Sequence, residues 1–142
     1  MDAKLIFTGS AFIDEEDEIL DWQLHVPRTI SYRQLLKQNL VSNSSVLVKK
    51  DLYAKYYVVG DNNMHEDFAI WLQILRTGVI AYGIDKPLLI YRVSRKSKSG
   101  NKLKAARMNW NAYRYVGLNV IEAIYYMIWY TIKGILKYRH IY

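Results

Sequence analysis

The most regular stretch of the sequence lies near its middle and reads His65-Glu66-Asp67-Phe68-Ala69-Ile70-Trp71-Leu72-Gln73-Ile74-Leu75. Its apolar residues follow the i, i+3, i+4, i+7 spacing of a helix with one buried face, at Phe68, Trp71, Leu72 and Leu75. Gly78 stands where a helix commonly ends. The pattern therefore predicts a helix over residues 66–77 that opens with the acidic pair Glu66-Asp67.

Strand-forming segments flank this helix on both sides. Before it, residues 5–13 and 19–26 favour strands and are separated by the acidic run 14–18, which predicts a hairpin with a charged, solvated tip. After it, residues 79–82 and 88–93 predict two strands joined by a turn that contains Pro87.

Shorter elements fill the space between the hairpin and the acidic pair. Ser31 and Gln34 have the spacing of a capping box, which predicts a short helix that ends near Asn39. Residues 45–48 favour a strand, and residues 53–64 are expected to form a surface loop.

The carboxy-terminal part is basic and then aromatic. A helix is expected from Asn101, and its apolar residues Leu103, Ala106, Trp110 and Tyr113 fall on one face. The apolar stretch 116–132 is short for a membrane span and contains Asn119 and Glu122, so an interfacial or packed helix is expected. The expected division of the chain is 1–115, a globular part, and 116–142, an aromatic and basic helix at a membrane interface or docked on the fold.

Composition narrows the functional classes. The 142 residues are 51% hydrophobic and 23% charged, which excludes a disordered tail and a low-complexity linker. The lack of cysteine excludes a disulfide framework, a thiolate zinc site and a cysteine nucleophile. Residues 1–71 carry a formal charge of −4 and residues 72–142 a charge of +11. Such a basic half attracts phosphate in nucleic acid, anionic lipid or a nucleotide diphosphate, and charge alone does not choose among them.

Two clusters of side chains are candidates for chemistry. Glu66 and Asp67 either cap the helix or hold a carboxylate at a cleft where it takes a proton from a hydroxyl group. The basic segment 92–102 either clamps phosphate oxygens or is an ordinary solvated run; its cations include Arg92, Lys96, Lys98 and Lys102. The three histidines lack the spacing of a zinc site, and no Walker loop, serine elbow or dinucleotide fingerprint occurs.

Several segments in order resemble the family 2 glycosyltransferases of the GT-A fold. They are His65–Leu75, Gly78–Gly83, Pro87–Val93 and Asn101–Ala106, together with an acceptor-side region from Ile30 to Val46. The resemblance implies an α/β class, or an α+β-like fragment: a partial GT-A fold in which a small mixed sheet with a hairpin accompanies the Glu-Asp helix and two C-terminal helices.

The same resemblance implies residue roles. Asp67 would be the general base that deprotonates an acceptor hydroxyl, and Glu66 would support the acceptor or orient its neighbour. Arg92 and Lys102 would meet the leaving diphosphate of a nucleotide-sugar donor. The expected acceptor is a saccharide or a lipid-linked saccharide, and the expected outcome is inversion at the anomeric carbon.

Members of the family begin with a nucleotide-binding half that ends in an Asp-x-Asp metal motif, and this sequence matches only the part after it. The chain is therefore expected to be an acceptor-side fragment that is inactive without the missing half or a partner chain. A divalent metal, Mn or Mg, and the nucleotide sugar are expected for the complete enzyme, and neither for this chain alone. The expected location is the cytoplasm, at the inner face of the cell membrane.

The alternative is a non-catalytic basic module that binds a membrane surface or a partner protein. Nucleic-acid binding is disfavoured, because no recognition motif accompanies the basic residues.

Overall fold

The protein is described by a computed structural model that covers residues 2–60, 63–94 and 101–139. These residues form one mixed sheet and five α-helices. The strands are β1 (Leu5–Ile13), β2 (Ile19–Leu24), β3 (Thr29–Ile30), β4 (Leu47–Val48) and β5 (Ala81–Arg92). The helices are α1 (Tyr32–Lys37), α2 (Lys50–Tyr56), α3 (Glu66–Arg76), α4 (Lys102–Tyr115) and α5 (Val120–Tyr138). The expected mixed α/β class is confirmed, with its hairpin, its Glu-Asp helix and its two C-terminal helices.

Strand β1 is the centre of the sheet. It runs parallel to β5 along its whole length, from the pair Leu5 and Ala81 to the pair Ile13 and Arg92. Its other edge is shared, because β4 pairs antiparallel with its first residues and β2 with its last. The short strand β3 pairs antiparallel with the start of β5. Being paired on both edges, β1 is the strand whose side chains are mostly buried.

Strand β5 corrects the prediction of two strands and a turn. It runs unbroken from Ala81 to Arg92, and Pro87 lies inside it. The register against β1 shifts on both sides of Gly9, so that extra residues of β5 bulge out at this point. A bulge leaves backbone groups outside the ladder, which is why a proline fits there. The glycine and proline of this segment therefore mark a bulge. A short-range sequence pattern does not distinguish a bulge from a turn.

Helix α3 forms the middle of the core. Seven of its eleven residues are buried, among them Phe68, Trp71 and Leu72. It contacts α1, α2 and α4, and its chain reverses at Gly78, whose φ of +95° suits glycine. The predicted helix and its end are confirmed.

Of three local expectations, one is confirmed and two differ from the structure. The first helix begins as predicted, with the Gln34 Oε1 accepting a hydrogen bond from the Ser31 N–H at 2.8 Å. Residues 53–56, however, belong to helix α2 instead of a loop. In α4 the buried face is Met108, Asn109, Ala112 and Tyr113, whereas Leu103 is 85% exposed. The predicted face was wrong because Leu103 and Ala106 are exposed near the start of α4, and Trp110 is only partly buried against the core.

Helix α5 packs on α1 and α4 through one side, with Ala123 buried and Tyr126 and Tyr130 partly buried. A hydrogen-bonded pair of Asn119 and Glu122 caps its amino terminus, each side chain accepting from the other's backbone N–H at 2.9–3.0 Å. In the described part of the chain, no helix is both long and apolar enough to cross a bilayer. Lys96, Lys98 and His140 lie outside the described residues.

Candidate active site

The acidic pair occupies the first turn of helix α3. His65 is the N-cap residue and its side chain makes no capping hydrogen bond. The free N–H groups of the first turn and the positive end of the helix dipole favour carboxylates here. Because the rest of α3 is buried on almost every side, the two carboxylates stand on a rigid support.

Asp67 and Glu66 differ in their surroundings. Asp67 as a residue is half-buried, and within residues 2–60, 63–94 and 101–139 its carboxylate makes no hydrogen bond or ion pair. The carboxylate of Glu66 lies against the backbone of Gly60, where an added Cβ would stand 3.6 Å from Oε1. Asp67 is thus the member of the pair whose lone pairs stay open to a ligand hydroxyl.

An open cleft of about 580 Å³ lies beside the loop that leads into α3. One wall is the loop, with Tyr57, Val58, Val59 and Met64; the other is α4, with Asn111, Arg114 and Tyr115. The two walls are joined directly, because the Asn111 Nδ2 donates to the Asn63 carbonyl oxygen at 2.7 Å. A cleft of this volume is within the range that small organic ligands occupy.

The cleft and the acidic pair are neighbours along the chain. Met64 lines the cleft, and Glu66 and Asp67 follow it by two and three residues, but neither carboxylate is part of the lining. The cleft offers two largely exposed aromatic rings, Tyr57 and Tyr115, and the cationic Arg114. Aromatic faces with a few polar groups suit a ligand that has both apolar ring faces and hydroxyl groups, as a sugar does.

A second open cleft, of about 500 Å³, lies at the opposite end of α3, beside Thr77 and Gly78. Its acid is Asp2, whose carboxylate is 2.9 Å from the Lys49 Nζ. The hydrogen bond and the charge of Lys49 hold the pKa of Asp2 below its usual value. This cleft lies at the end of α3 away from the acidic pair, so the cleft at Met64 is the better candidate site.

The two predicted phosphate ligands lie elsewhere. The Arg92 guanidinium donates to the Asp14 carbonyl oxygen at 3.0 Å and pairs with the Asp17 carboxylate. Lys102 is the exposed first residue of α4. Among the described residues no hydrogen bond or ion pair joins Arg92 or Lys102 to the acidic pair. In this structure, then, Arg92 anchors the tip of the β1–β2 hairpin.

The acidic hairpin tip does not gather into a metal site. In the part of the chain that the structure describes, no three His, Asp or Glu side chains come together as metal ligands. Asp14 instead accepts hydrogen bonds from the backbone N–H groups of Glu16 and Glu18, both at 2.9 Å. The described residues therefore offer no set of side chains that fits the divalent metal expected of the complete enzyme.

Four residues of the cleft escaped the sequence analysis: Tyr57, Asn111, Arg114 and Tyr115. About fifty residues separate Tyr57 from the other three, and no local pattern says that the loop and α4 meet. Their one visible signal was an excess of aromatic residues on both segments.

Comparison with known proteins finds bacterial glycosyltransferases. The chain is 28% identical over 132 residues to a Bacillus subtilis protein named as a teichuronic acid biosynthesis glycosyltransferase, TuaG. The match covers 92% of this chain and 52% of the relative. It is 27% identical over 141 residues to the Escherichia coli UDP-Glc:alpha-D-GlcNAc-diphosphoundecaprenol beta-1,3-glucosyltransferase WfaP, covering 95% and 53%. An uncharacterized glycosyltransferase of Haemophilus influenzae is 31% identical over 115 residues, covering 79% and 45%.

The chain therefore spans about half the length of the curated relatives it matches. No protein-family model and no solved structure matches it.

Proposed function

We propose that this chain, a homologue of bacterial glycosyltransferases, is the acceptor-side part of an inverting family 2 glycosyltransferase with a GT-A fold. Residues 1–115 form that acceptor-side part. The homology supports glycosyl transfer in general. The acceptor is a saccharide on a lipid diphosphate, a class supported by the name of the Escherichia coli relative, which acts on a diphosphoundecaprenol-linked sugar.

The observation that carries the proposal is the state of Asp67. Asp67 is a half-buried residue on the first turn of a core helix, and its carboxylate has no protein partner among the described residues. A carboxylate that is held rigidly and left without a partner is suited to general-base catalysis. In the reaction Asp67 accepts the proton of the acceptor hydroxyl, and the oxygen forms a bond to the anomeric carbon of the donor sugar. The bond between that carbon and the diphosphate breaks on the opposite face, so the configuration inverts.

The other residues of the site bind and orient the acceptor. Tyr57 and Tyr115 provide ring faces for the sugar, and Asn111 and Arg114 provide hydrogen-bond donors at the α4 wall. Arg114 already donates to the Leu118 carbonyl oxygen at 3.0 Å, which fixes its guanidinium while leaving other N–H groups for a ligand. Glu66 orients the acceptor from its position against Gly60.

The donor is bound mainly by a part of the complete protein that this chain does not contain. Support comes from the sequence, which has no nucleotide-binding motif, and from the share of the relatives that it covers. Leu88 and Ile90 are each 66% exposed on β5 and give that part an apolar face to pack against. Arg92 and Lys102 meet the leaving diphosphate, and the solvent-exposed pair of Arg92 with Asp17 is weak enough to exchange for it.

A second candidate function is supported by a different observation. Helix α5 exposes a row of large apolar side chains, which favours a non-catalytic module that binds a membrane surface or a partner protein. The two functions differ in one respect that can be measured: only the first predicts that sugar transfer depends on Asp67.

The test of the proposed function is the stereochemistry of the product. The complete protein is supplied with a panel of nucleotide sugars and a synthetic N-acetylglucosamine diphosphate lipid, and the anomeric configuration of the product is read by NMR. The expected product has the configuration opposite to that of the donor. Retention of configuration, or absence of transfer across the panel, would contradict the proposal.

A further inference from the structure

Helix α5 has a second apolar side, opposite the one that packs on the fold. At 100° per residue, Ile121, Ile124, Tyr125, Ile128, Ile132 and Ile135 fall within one narrow sector of the helix. All six are exposed, Ile121 by 80% and the others by about half or more. The row is called the outer stripe below, and the fourteen residue steps from Ile121 to Ile135 span about 21 Å.

The outer stripe is not an accident of loose packing. The opposite sector of α5 holds Ala123, Tyr126, Met127 and Tyr130, which contact the core. Thr131 lies between the two sectors. Its hydroxyl donates a hydrogen bond to the Met127 carbonyl oxygen at 2.8 Å, so this donor is already satisfied within the helix. A soluble surface rarely carries an unbroken apolar row of this length, so the stripe has an occupant.

The charges around the stripe identify the chemistry of that occupant. The Lys37 Nζ lies 5.0 Å and the Lys133 Nζ 6.0 Å from the ring of Trp129, which borders the stripe. Glu122 is the one acid of the α5 sequence, and it is engaged at the N-cap. Apolar side chains bordered by a tryptophan and by lysines match a bilayer interface, whose acyl boundary is apolar and whose phosphates are negative.

We infer that α5 lies in the plane of an anionic phospholipid bilayer, with the outer stripe in the acyl boundary and Trp129, Lys37 and Lys133 at the level of the phosphates. The +11 charge of residues 72–142 adds long-range attraction to the same surface. A protein partner would bury the stripe equally well, but its interface core would not select for flanking cations. The inference stands apart from the proposed catalysis, because it requires nothing of Asp67 or of the cleft.

The first experiment measures sedimentation of the full chain with vesicles. Vesicles of phosphatidylcholine with added phosphatidylglycerol are expected to bind the chain, with an affinity that falls as salt is raised. Vesicles of phosphatidylcholine alone are expected to bind it more weakly, by about tenfold or more. A chain that binds neither kind of vesicle at low salt would overturn the inference.

Variants separate the stripe from general surface charge. The double change Ile124→Asp and Ile128→Asp is expected to weaken vesicle binding by at least about tenfold, because two isoleucine side chains no longer enter the bilayer. Leu103→Asp is the matched control for an apolar-to-acid change, because Leu103 is 85% exposed on α4, outside the stripe. It is expected to change binding by less than about threefold. Equal losses in the double variant and the control would overturn the inference.

A second readout uses the wild-type fold. Trp71 is 2% exposed, and Trp22 and Trp110 are partly buried on β2 and α4. Trp129 borders the stripe, so brominated lipid is expected to quench Trp129 emission most strongly. Trp129→Phe is expected to lose most of the lipid-dependent quenching while keeping its far-ultraviolet circular dichroism. Sedimentation velocity without lipid tests whether a second copy of the chain covers the stripe. A dimer that dissociates in the double variant, together with no vesicle binding, would assign the stripe to that second copy and overturn the inference.

Discussion

Two side chains on neighbouring helices show how differently this fold treats polar groups. Tyr113 on α4 is fully buried, and its hydroxyl donates to the Leu36 carbonyl oxygen of α1. Asp67 on α3 is half-buried and has no protein partner in the described ranges. Buried polar groups are normally satisfied, because an unmade hydrogen bond costs free energy. The partner of Tyr113 is thus built into the fold, whereas the partner of Asp67 is expected to come from outside.

The Tyr113 hydrogen bond predicts a stability effect. Tyr113→Phe removes the donor and leaves the Leu36 carbonyl buried without it, so the free energy of unfolding is expected to fall by about 1–3 kcal/mol. Urea unfolding followed by circular dichroism measures the change. Tyr125→Phe is the control, because the Tyr125 side chain is half exposed and its change is expected to stay within about 0.5 kcal/mol. Equal effects of the two substitutions would show that the buried bond contributes nothing special.

The same residue makes stability depend on alkaline pH. Burial, the largest cause, raises the pKa of Tyr113 above its ordinary value of 10.0. In the unfolded chain the phenol loses its proton near pH 10.0, whereas the folded protein keeps it, so the folded state binds more protons above that pH. The contribution to stability is complete below pH 10.0 and is lost as pH rises from there. The Tyr113→Phe variant is expected to lose less stability than wild type over that range.

At the scale of elements, the bulge in β5 shapes one side of the sheet. Asp85 stands in the bulge and accepts a hydrogen bond from the Val26 N–H at 3.1 Å, with the His25 Nδ1 at 3.2 Å. Nearby, the Gly83 N–H donates to the Arg28 carbonyl oxygen at 2.9 Å. These contacts join the bulge of β5 to residues 25–28, the segment between β2 and β3.

This close approach predicts an intolerant glycine. A Cβ at Gly83 would overlap the Pro27 carbonyl oxygen, which is backbone and cannot rotate away. Gly83→Ala is expected to lower the free energy of unfolding by about 1–3 kcal/mol through overpacking. Gly134→Ala is the opposite case, because nothing lies within 4 Å of an added Cβ on this helical residue. It is expected to stabilise the protein by about 0.5–1 kcal/mol. Thermal unfolding of the two variants tests whether the first is less stable and the second more stable than wild type. A stable Gly83→Ala protein would contradict the close packing at the bulge.

The elements that sequence patterns predicted well are those whose signal is local. Helix α3 has apolar residues at helical spacing and a glycine at its end, and it is found where they place it. The continuity of β5 was missed because it depends on pairing with β1, a strand about seventy residues away. The cleft was missed for the same reason, since Tyr57 and Tyr115 meet only through tertiary packing.

At the scale of the whole molecule, the three surfaces discussed above lie on different elements. The acidic pair opens α3, the cleft lies between α4 and a second wall formed by residues 57–59 and Met64, and the outer stripe covers α5. Helices α3, α4 and α5 contact one another in series, α3 with α4 and α4 with α5. In the proposed enzyme this series links a membrane-bound helix to the cleft that takes a lipid-linked acceptor.

The charge asymmetry of the chain fits this arrangement. The basic residues are concentrated in the second half, which contains α4 and α5, and the acidic residues in the first half. A membrane surface and a leaving diphosphate are both negative, so the same basic half serves the two proposed contacts.

The most direct measurement of the central claim compares turnover with acceptor binding in Asp67→Asn, made in the complete protein. The amide keeps the size of the side chain but cannot take the hydroxyl proton, so kcat is expected to fall by about 10²–10⁴ while the acceptor dissociation constant changes by less than about threefold. Asp51→Asn, the same change in the first turn of α2, is the matched control and is expected to leave both values unchanged. If Asp67→Asn turns over as fast as Asp51→Asn, Asp67 is not the base.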